Sequence, residues 1–339
     1  MKRILVTGGC GFVGRRLVDA LADRGDEVTV FDLTGEAWRD DIRLVRGDLT
    51  ERQAITDACA GIDVVFHSAS LVHTKANRGE LVRAVNVDGA RNVLAACREH
   101  GVGKLIYVSS ASVVYAGQDI RDGDESLPYA EKFPALYAET KAIAERELLA
   151  ASGDGPEICA IRPHVVFGPG DTRLIPAILG RAQANKLKFQ VGGDDKLSDF
   201  TYVGNVVQAL LLAEGRLEPG SAVSGQAYFI TNGEPMPFWR FVRRIVEPLG
   251  YRGPRMRIPF RVAYAAAAVR EGIDTLRGGT LHAEEGISRF AIRYLCSDHY
   301  FSHAKATRDL GYTPETSLDE AIAETVASLE AAGARKGAA

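Results

Sequence analysis

The sequence has few of the features that mark membrane proteins, hydrolases or disulfide-stabilised proteins. It contains only five cysteines, an odd number and widely scattered, and no CxxC pair. We therefore expect free thiols in a reducing compartment and a cytoplasmic location. No apolar run approaches the 18 or more residues that a membrane span needs. Neither the HExxH motif of zinc enzymes nor the GxSxG turn of serine hydrolases occurs, and no metal site is predicted.

The chain also has no large excess of charge of either sign. The 41 lysines and arginines nearly balance the 44 aspartates and glutamates, and the net charge is -3. This balance provides no basic surface for general nucleic-acid binding, so no nucleic-acid partner is predicted. The apolar fraction of 46% and the charged fraction of 25% are ordinary globular values. They exclude a mainly disordered chain, and the length of 339 residues allows two domains.

Short apolar runs alternate with longer helical patterns over the first 165 residues. The predicted strands are Arg3–Thr7, Glu27–Phe31, Arg43–Arg46, Asp63–His67, Lys104–Ser109 and Glu157–Arg162. The predicted helices are Gly11–Arg24, Glu51–Ala60, Gly79–His100 and Ala135–Ala151. The strands are apolar throughout, as expected when both faces of a sheet are covered. The alternation predicts an α/β fold, a Rossmann-type doubly wound parallel sheet.

The pattern changes after the sixth predicted strand. We predict helices at Ile175–Ala184 and Val203–Glu214 and strands at Lys188–Val191 and Ala227–Ile230. The region from there to about residue 332 is predicted to be mostly helical, with glycine and proline breaks. The sequence thus indicates a smaller, mostly helical C-terminal part beside the parallel sheet.

A glycine-rich loop joins the first strand to the first helix. Within the segment TGGCGFVG, the candidate ligand-binding residues are Gly8, Gly11, Phe12, Val13 and Gly14. Glycines at these positions let the backbone turn tightly and approach a pyrophosphate, while the helix N-terminus supplies amide donors. An ordinary glycine-rich turn is the alternative, but the strand-loop-helix context favours dinucleotide binding.

Further candidates for cofactor contacts lie at the ends of the next strands. Asp32 follows the second strand, where a carboxylate accepts hydrogen bonds from the adenine ribose. A carboxylate would repel the 2′-phosphate of NADP, so NAD is the predicted cofactor. Asp48, followed by Leu49, is placed either to contact adenine or to cap the following helix. Ser68 and Ala69 are small enough for a backbone that runs against a cofactor, although tight packing would favour them too.

Tyr137 and Lys141 form the only Tyr-x-x-x-Lys sequence in the chain. The spacing places both side chains on one face of a predicted helix. A nearby ammonium favours the phenolate and lowers the pKa of a tyrosine, which makes Tyr137 a candidate acid/base. The preceding strand ends in SSAS, and Ser110 there is a candidate ligand for a substrate hydroxyl or carbonyl. Ligands of open parallel sheets bind at this carboxyl edge.

This set of motifs resembles that of the extended short-chain dehydrogenase/reductases. It consists of the glycine loop, Asp32, Asp48, Ser110, Tyr137 and Lys141. Longer stretches resemble the 3β-hydroxysteroid dehydrogenase branch, above all its sterol-4α-carboxylate 3-dehydrogenase (decarboxylating) group. These stretches are VSSASVVY, LPYAEKFPALYAETKAIAER, IRPHVVFGPGD, SDFTYVGNVVQALLLAE and ITNGEPMPFWRF. The resemblance covers nearly the whole chain.

The resemblance implies a role for each central residue. Tyr137 is the general acid/base, and Lys141 lowers its pKa and holds the nicotinamide ribose. Ser110 positions the reacting oxygen, with Ser109 and Ser112 as alternatives.

The resemblance also implies a cofactor-facing turn and a division of the chain. Pro163 and His164, after the sixth strand, would face the nicotinamide. Residues 1–165 would form the NAD-binding Rossmann domain, rejoined by about 197–232. Residues 166–196 and 233–332 would bind substrate, and 333–339 would be a flexible tail.

The predicted function is NAD-dependent oxidation of the 3β-hydroxyl of a sterol or steroid. A 4-carboxysterol would lose CO₂ to give a 3-ketosterol. A 2-alkyl-3-oxoalkanoate reductase of long-chain hydrocarbon synthesis is the alternative, since such enzymes are similar around residues 232–235 and 295–300. A nucleotide-sugar epimerase or dehydratase and a non-catalytic NAD sensor are further alternatives.

The expected partner is an apolar small molecule, a sterol or long-chain lipid. Nine arginines and three acids lie between Arg240 and Arg277. This segment is either a solvated helical surface or a basic amphipathic lid in peripheral contact with anionic lipid. A span is not expected, because the longest uncharged stretch nearby is Val262–Val269. Helices 79–100 and 135–151 are candidates for a homodimer contact.

Overall fold

A computed structural model describes residues 1–72, 79–276 and 288–336. Its centre is a seven-stranded parallel sheet, ordered β12-β7-β5-β4-β1-β2-β3. The strands are β1 (Arg3–Thr7), β2 (Glu27–Asp32), β3 (Ile42–Arg46), β4 (Val64–His67), β5 (Lys104–Val108), β7 (Glu157–Pro163) and β12 (Ala227–Ile230). The order reverses beside β1, as it does in a doubly wound sheet, and the predicted fold class is confirmed.

Helices cover both faces of this sheet. Helices of its first half are α1 (Phe12–Asp23), α2 (Arg52–Cys59), α3 (Gly79–Arg83), α4 (Gly89–His100) and α5 (Leu136–Ala150). Neighbouring residues of β1 face opposite cores: Ile4 packs with Leu17, and Leu5 packs in the cluster of Val93. Because both faces are buried, the strands are apolar throughout rather than alternating.

The sequence predicts one helix over Gly79–His100, and the structure differs in its middle. Residues Ala84–Asp88 form a π-helical segment between α3 and α4. Within it, Asn86 is buried, and its Oδ1 accepts from the Leu71 N–H at 2.7 Å. Its Nδ2 donates to the Leu71 carbonyl at 3.1 Å and to the Thr140 hydroxyl at 3.0 Å. The wider turn thus coincides with side-chain bonds to two other parts of the chain, which helical periodicity does not reveal.

The second half contains more strands than predicted. Its helices are α6 (Leu174–Gln183), α7 (Val203–Arg216), α8 (Phe238–Val246), α9 (Phe260–Leu276), α10 (Arg289–Leu295), α11 (Ala304–Leu310) and α12 (Leu318–Ala331). A four-stranded sheet has the order β13 (Met236–Pro237), β10 (Leu197–Ser198), β15 (His299–Phe301) and β6 (Ile120–Gly123). There are also two two-stranded sheets. One pairs β8 (Val166–Phe167) with β11 (Thr201–Tyr202), and the other pairs β9 (Phe189–Val191) with β14 (Met256–Ile258). These strands have two to four residues, too few for a periodic signal.

All five cysteines lie in the described residues and are free. At the C-terminus, the Lys336 N–H donates to the Leu249 carbonyl at 3.0 Å, and residues 337–339 of the predicted tail lie outside the described residues. Of the helices that the structure describes, none combines the length and apolar character of a transmembrane segment.

Candidate active site

The glycine loop leaves β1 in a conformation that only glycine adopts easily. Gly8 has φ +69°, and a Cβ there would lie 2.6 Å from the Ala69 Cα. A Cβ on Gly14 would lie 2.1 Å from the Gly8 carbonyl oxygen. At Gly11 the only atom within 4 Å of an added Cβ, among those the structure describes, is that same oxygen, at 3.1 Å. Close backbone packing therefore excludes a side chain at Gly8 and Gly14, while exposed Gly11 leaves the loop backbone accessible, which fits a pyrophosphate.

The remaining loop residues begin α1. Phe12 and Val13 are half-buried at its first positions. The Gly11 N–H donates to the Gly8 carbonyl at 3.0 Å. The positive end of the α1 dipole therefore lies at the cradle, which favours an anionic group there.

Asp32 lies at the carboxyl end of β2 and contacts this loop. Its Oδ2 accepts from the Cys10 N–H at 3.0 Å, and its Oδ1 accepts from the Thr34 N–H at 3.3 Å. The side chain is half-buried. Each carboxylate oxygen retains acceptor capacity, so Asp32 can still receive ribose hydroxyls.

The other predicted cofactor residues at strand ends have local structural partners. Asp48 Oδ1 accepts from the Thr50 N–H at 2.9 Å, as in the capping alternative, although α2 itself starts later at Arg52. Leu49 is buried. The Ser68 N–H donates to the Thr7 carbonyl at 3.1 Å, which places Ser68 and Ala69 beside the start of the glycine loop. Their contacts with a cofactor remain predictions.

Tyr137, in the first turn of α5, meets two serines from neighbouring strand ends. The side-chain hydroxyls of Ser110, after β5, and Ser70, after β4, lie close enough to its hydroxyl to lower its pKa. Burial raises the pKa of Tyr137, while the two serine hydrogen bonds and the charge of Arg173 oppose that rise. Because Ser70 directly follows Ala69, the phenol lies close to the glycine cradle. The structure therefore brings Ser110 and Tyr137 together at the carboxyl edge of the sheet.

Lys141 lies one turn further along α5 and is 1% exposed. Its Nζ donates to the Val108 carbonyl at 2.6 Å and lies 4.6 Å from the centre of the Tyr107 ring. Burial lowers the pKa of Lys141 to about 7, and the charge of Glu145 opposes this shift. The cation whose charge lowers the pKa of Tyr137 here is Arg173. The corresponding effect of Lys141 stays a prediction.

The two alternative serines flank Ser110. Ser109 is buried, and its Oγ has no hydrogen-bond partner among the described residues. Ser112 donates from its Oγ to the Ser110 Oγ at 2.9 Å. Ser112 therefore orients Ser110.

Pro163 and His164 follow one another at the carboxyl end of β7. Pro163 pairs with Ile230 of β12. His164 is buried, and its Nε2 lies 2.9 Å from the Tyr294 hydroxyl. Burial and the neighbouring His299 hold the pKa of His164 well below its usual value, so its imidazole is neutral. Its predicted position against the nicotinamide stays a prediction.

Sequence reasoning missed Ser70 and Arg173 as members of this site. Ser70 had a usable signal, since it follows β4 as Ser110 follows β5, and these strands are adjacent. Arg173 had none, because it lies 36 positions from Tyr137 in a loop without a motif.

The chain is similar to known proteins over nearly its whole length. Residues 5–260 match the 3-beta hydroxysteroid dehydrogenase/isomerase family. Sterol-4-alpha-carboxylate 3-dehydrogenase, decarboxylating, of Mus musculus is 39% identical over 330 residues, 97% of this chain and 91% of that protein. The 2-alkyl-3-oxoalkanoate reductase of Stenotrophomonas maltophilia is 38% identical over 333 residues, 97% of this chain and 100% of that protein.

Solved structures share the fold. The crystal structure of Thermus thermophilus UDP-glucose 4-epimerase, a complex with NAD, superposes with a TM-score of 0.74 at 24% identity. The superposition covers 97% of this chain and 99% of that chain.

Proposed function

This chain belongs to the 3-beta hydroxysteroid dehydrogenase/isomerase family, and we propose that it is an NAD-dependent oxidoreductase acting on a CH–OH group. The observation that carries the proposal is the position of the Tyr137 hydroxyl next to the side chains of Ser110 and Ser70, beside the glycine cradle. Gly8, Gly11 and Gly14 would hold the NAD pyrophosphate, and Asp32 the adenine ribose. Bound NAD would accept the hydride.

The side chains divide the remaining work. Tyr137 takes the hydroxyl proton of the substrate while the carbon becomes a carbonyl. Ser110 and Ser70 bind the tyrosine oxygen and the reacting oxygen, so they keep both atoms in line for proton transfer. Lys141 holds a buried amine one helical turn away, where its protonated form favours the phenolate.

The proposed substrate is a 3β-hydroxysterol that carries a 4α-carboxylate. Oxidation at C3 gives a β-keto acid. The C4–carboxylate bond then breaks, its electron pair enters the new carbonyl as an enolate, and CO₂ leaves. Protonated Tyr137 and Ser110 can donate to the enolate oxygen, as an oxyanion site does. The name and 39% identity of the mouse relative support this substrate class.

A 2-alkyl-3-oxoalkanoate is the second candidate substrate. The reductase of that name is similar to this chain at 38% identity and is covered along its full length. Its substrate carries a carboxylate next to the carbon that reacts, as the carboxysterol does. Both candidates are apolar molecules with one acidic group.

A substrate panel tests the proposal. Purified protein with NAD is offered carboxysterols, 2-alkyl-3-hydroxy acids and nucleotide sugars, and NADH, CO₂ and the ketone are measured together. We expect one CO₂ and one decarboxylated 3-ketosterol for each NADH from the carboxysterol. Tyr137→Phe keeps the ring but loses the proton-transferring hydroxyl, so kcat should fall 10²- to 10⁴-fold with NAD binding retained.

Three results would contradict the proposal. A variant Tyr137→Phe with more than about a tenth of wild-type kcat would remove Tyr137 from the acid/base role. A stable 3-keto-4-carboxylate would reduce the reaction to plain dehydrogenation. Turnover of the 2-alkyl-3-hydroxy acid with no sterol oxidation would favour the second candidate.

A further inference from the structure

An exposed arginine stands in the loop that leads into α6, beside the candidate active site. Arg173 directly precedes Leu174, the first residue of this helix. No hydrogen bond or ion pair joins its guanidinium to another residue that the structure describes. The proton transfer described above does not use this side chain. Its charge is therefore available to a ligand.

The backbone that carries Arg173 is held in place. The carboxylate of Asp171 accepts from the N–H groups of Arg173 at 2.7 Å and Ile175 at 3.1 Å, which caps the helix. Earlier in the same loop, the Arg16 Nη2 donates to the Pro169 carbonyl at 3.1 Å, which ties the loop to the helix of the glycine cradle. The loop begins from β8, which is paired with β11. Arg173 thus projects from a fixed position.

That position is at the edge of the sheet that holds the reacting group. β7 ends at Pro163 beside β5, and Ser110 follows the end of β5. β8, from which the loop to Arg173 runs, begins three residues after Pro163, so the loop starts at the same carboxyl edge as Ser110. The charge of Arg173 also lowers the pKa of Tyr137, as a nearby cation does.

We propose that Arg173 binds a carboxylate carried by the substrate on the carbon next to the carbinol carbon. In such a β-hydroxy acid the carboxyl carbon is two bonds from the carbinol carbon. When the hydroxyl meets Tyr137, the carboxylate therefore lies within reach of a cation beside that hydroxyl. A guanidinium binds a carboxylate through two parallel N–H donors. This inference rests on the proposed function and makes the acidic group, shared by both candidate substrates, the feature that the enzyme selects.

Matched substrates and variants test the assignment. We would measure kcat/KM for NADH formation with a β-hydroxy acid and with its methyl ester, which removes only the charge. Arg173→Gln should lower the acid-to-ester ratio of kcat/KM roughly 10- to 100-fold, mainly through KM for the acid. Arg173→Lys keeps a cation and should retain much of the ratio. Arg181→Gln removes an exposed arginine from the other end of α6 and should leave the ratio at its wild-type value.

The outcomes separate this inference from the proposed function. If the wild type oxidises acid and ester but Arg173→Gln leaves their ratio unchanged, Arg173 does not bind the carboxylate. An equal loss for both substrates would likewise overturn the assignment and indicate a structural role. If the wild type forms NADH from neither substrate, the proposed function itself fails. Unfolding temperature and NAD binding, measured for each variant, identify a folding defect.

Discussion

At the residue scale, opposing effects act on the phenol of Tyr137. Burial favours the neutral form and raises its pKa, whereas hydrogen bonds from Ser110 and Ser70 favour the phenolate. Lys141 has its own pKa lowered to about 7, so near neutral pH it exists in both charged and neutral forms. We predict that protonated Lys141 stabilises the Tyr137 phenolate, so the rising limb of activity with pH should depend on both groups and its midpoint should belong to the pair.

Asp32 should determine cofactor choice. Asp32→Ser removes the carboxylate that we propose accepts from the ribose and repels a 2′-phosphate, so the NAD-to-NADP ratio of kcat/KM should fall about tenfold or more. Glu36→Gln, which removes an exposed carboxylate four residues further on, is the control and should leave the ratio unchanged. A wild type that already prefers NADP would contradict the role of Asp32.

At the scale of the element, α9 exposes an apolar stripe. Val262, Val269, Ile273 and Leu276 are 59%, 64%, 41% and 89% exposed. Their spacing of seven, four and three residues places them on one helical face. Arg261 and Arg270 lie on either side of this stripe at about 100° per residue. An apolar stripe flanked by arginines is the arrangement of helices that lie on anionic membranes.

We expect this stripe to bind anionic lipid. Wild-type protein should float with vesicles that contain anionic lipid, and less so as salt rises, because salt screens the arginine–headgroup attraction. Val269→Glu should reduce flotation, since it places an acid in the centre of the stripe. The control is Leu81→Glu, which changes an exposed apolar residue of α3 and should leave flotation unchanged.

Absence of flotation at low salt would favour the solvated-surface alternative for this segment. Arg277, its last arginine, lies outside the described residues.

At the scale of the whole molecule, a buried ion pair joins α5 to the central sheet. The side chains of Arg162 and Glu145 are 5% and 0% exposed, and Arg162 Nη2 lies 2.5 Å from Glu145 Oε1. The Tyr129 hydroxyl donates to the same carboxylate oxygen at 2.6 Å. Glu145 also raises the pKa of Lys141. One carboxylate therefore contributes both to the attachment of α5 and to the charge of Lys141.

Glu145→Gln should lower the free energy of unfolding by about 3–5 kcal/mol, because it leaves the Arg162 cation buried without a counter-charge. Glu147→Gln is the control on the same helix. Glu147 pairs with Arg91 at the surface, where the two side chains are 39% and 53% exposed, so its loss should cost at most about 1 kcal/mol. Denaturant unfolding measures both values, and equal losses would contradict the importance of the buried pair.

Local sequence was sufficient to predict the central sheet and to single out the candidate residues. Strands such as β1 and β5 are contiguous apolar runs, so no distant partner is needed to recognise them. The glycine loop and the Tyr137–Lys141 spacing are local too, because a turn and one helical face are defined within a few residues. The parallel alternation predicts the carboxyl edge as the ligand site, and this places Ser110 near Tyr137.

Tertiary structure decided what depends on residues far apart in the chain. The four-stranded sheet requires β6 to pair with β15, about 180 positions later, and neither strand is long enough to show a period. Ser70 lies beside Tyr137, and the charge of Arg173 acts on it, only because adjacent strand ends and the loop before α6 converge on one edge. The same folding buries Lys141 and exposes the α9 stripe, and burial depends on which elements pack together, a non-local property that spacing along the chain does not contain.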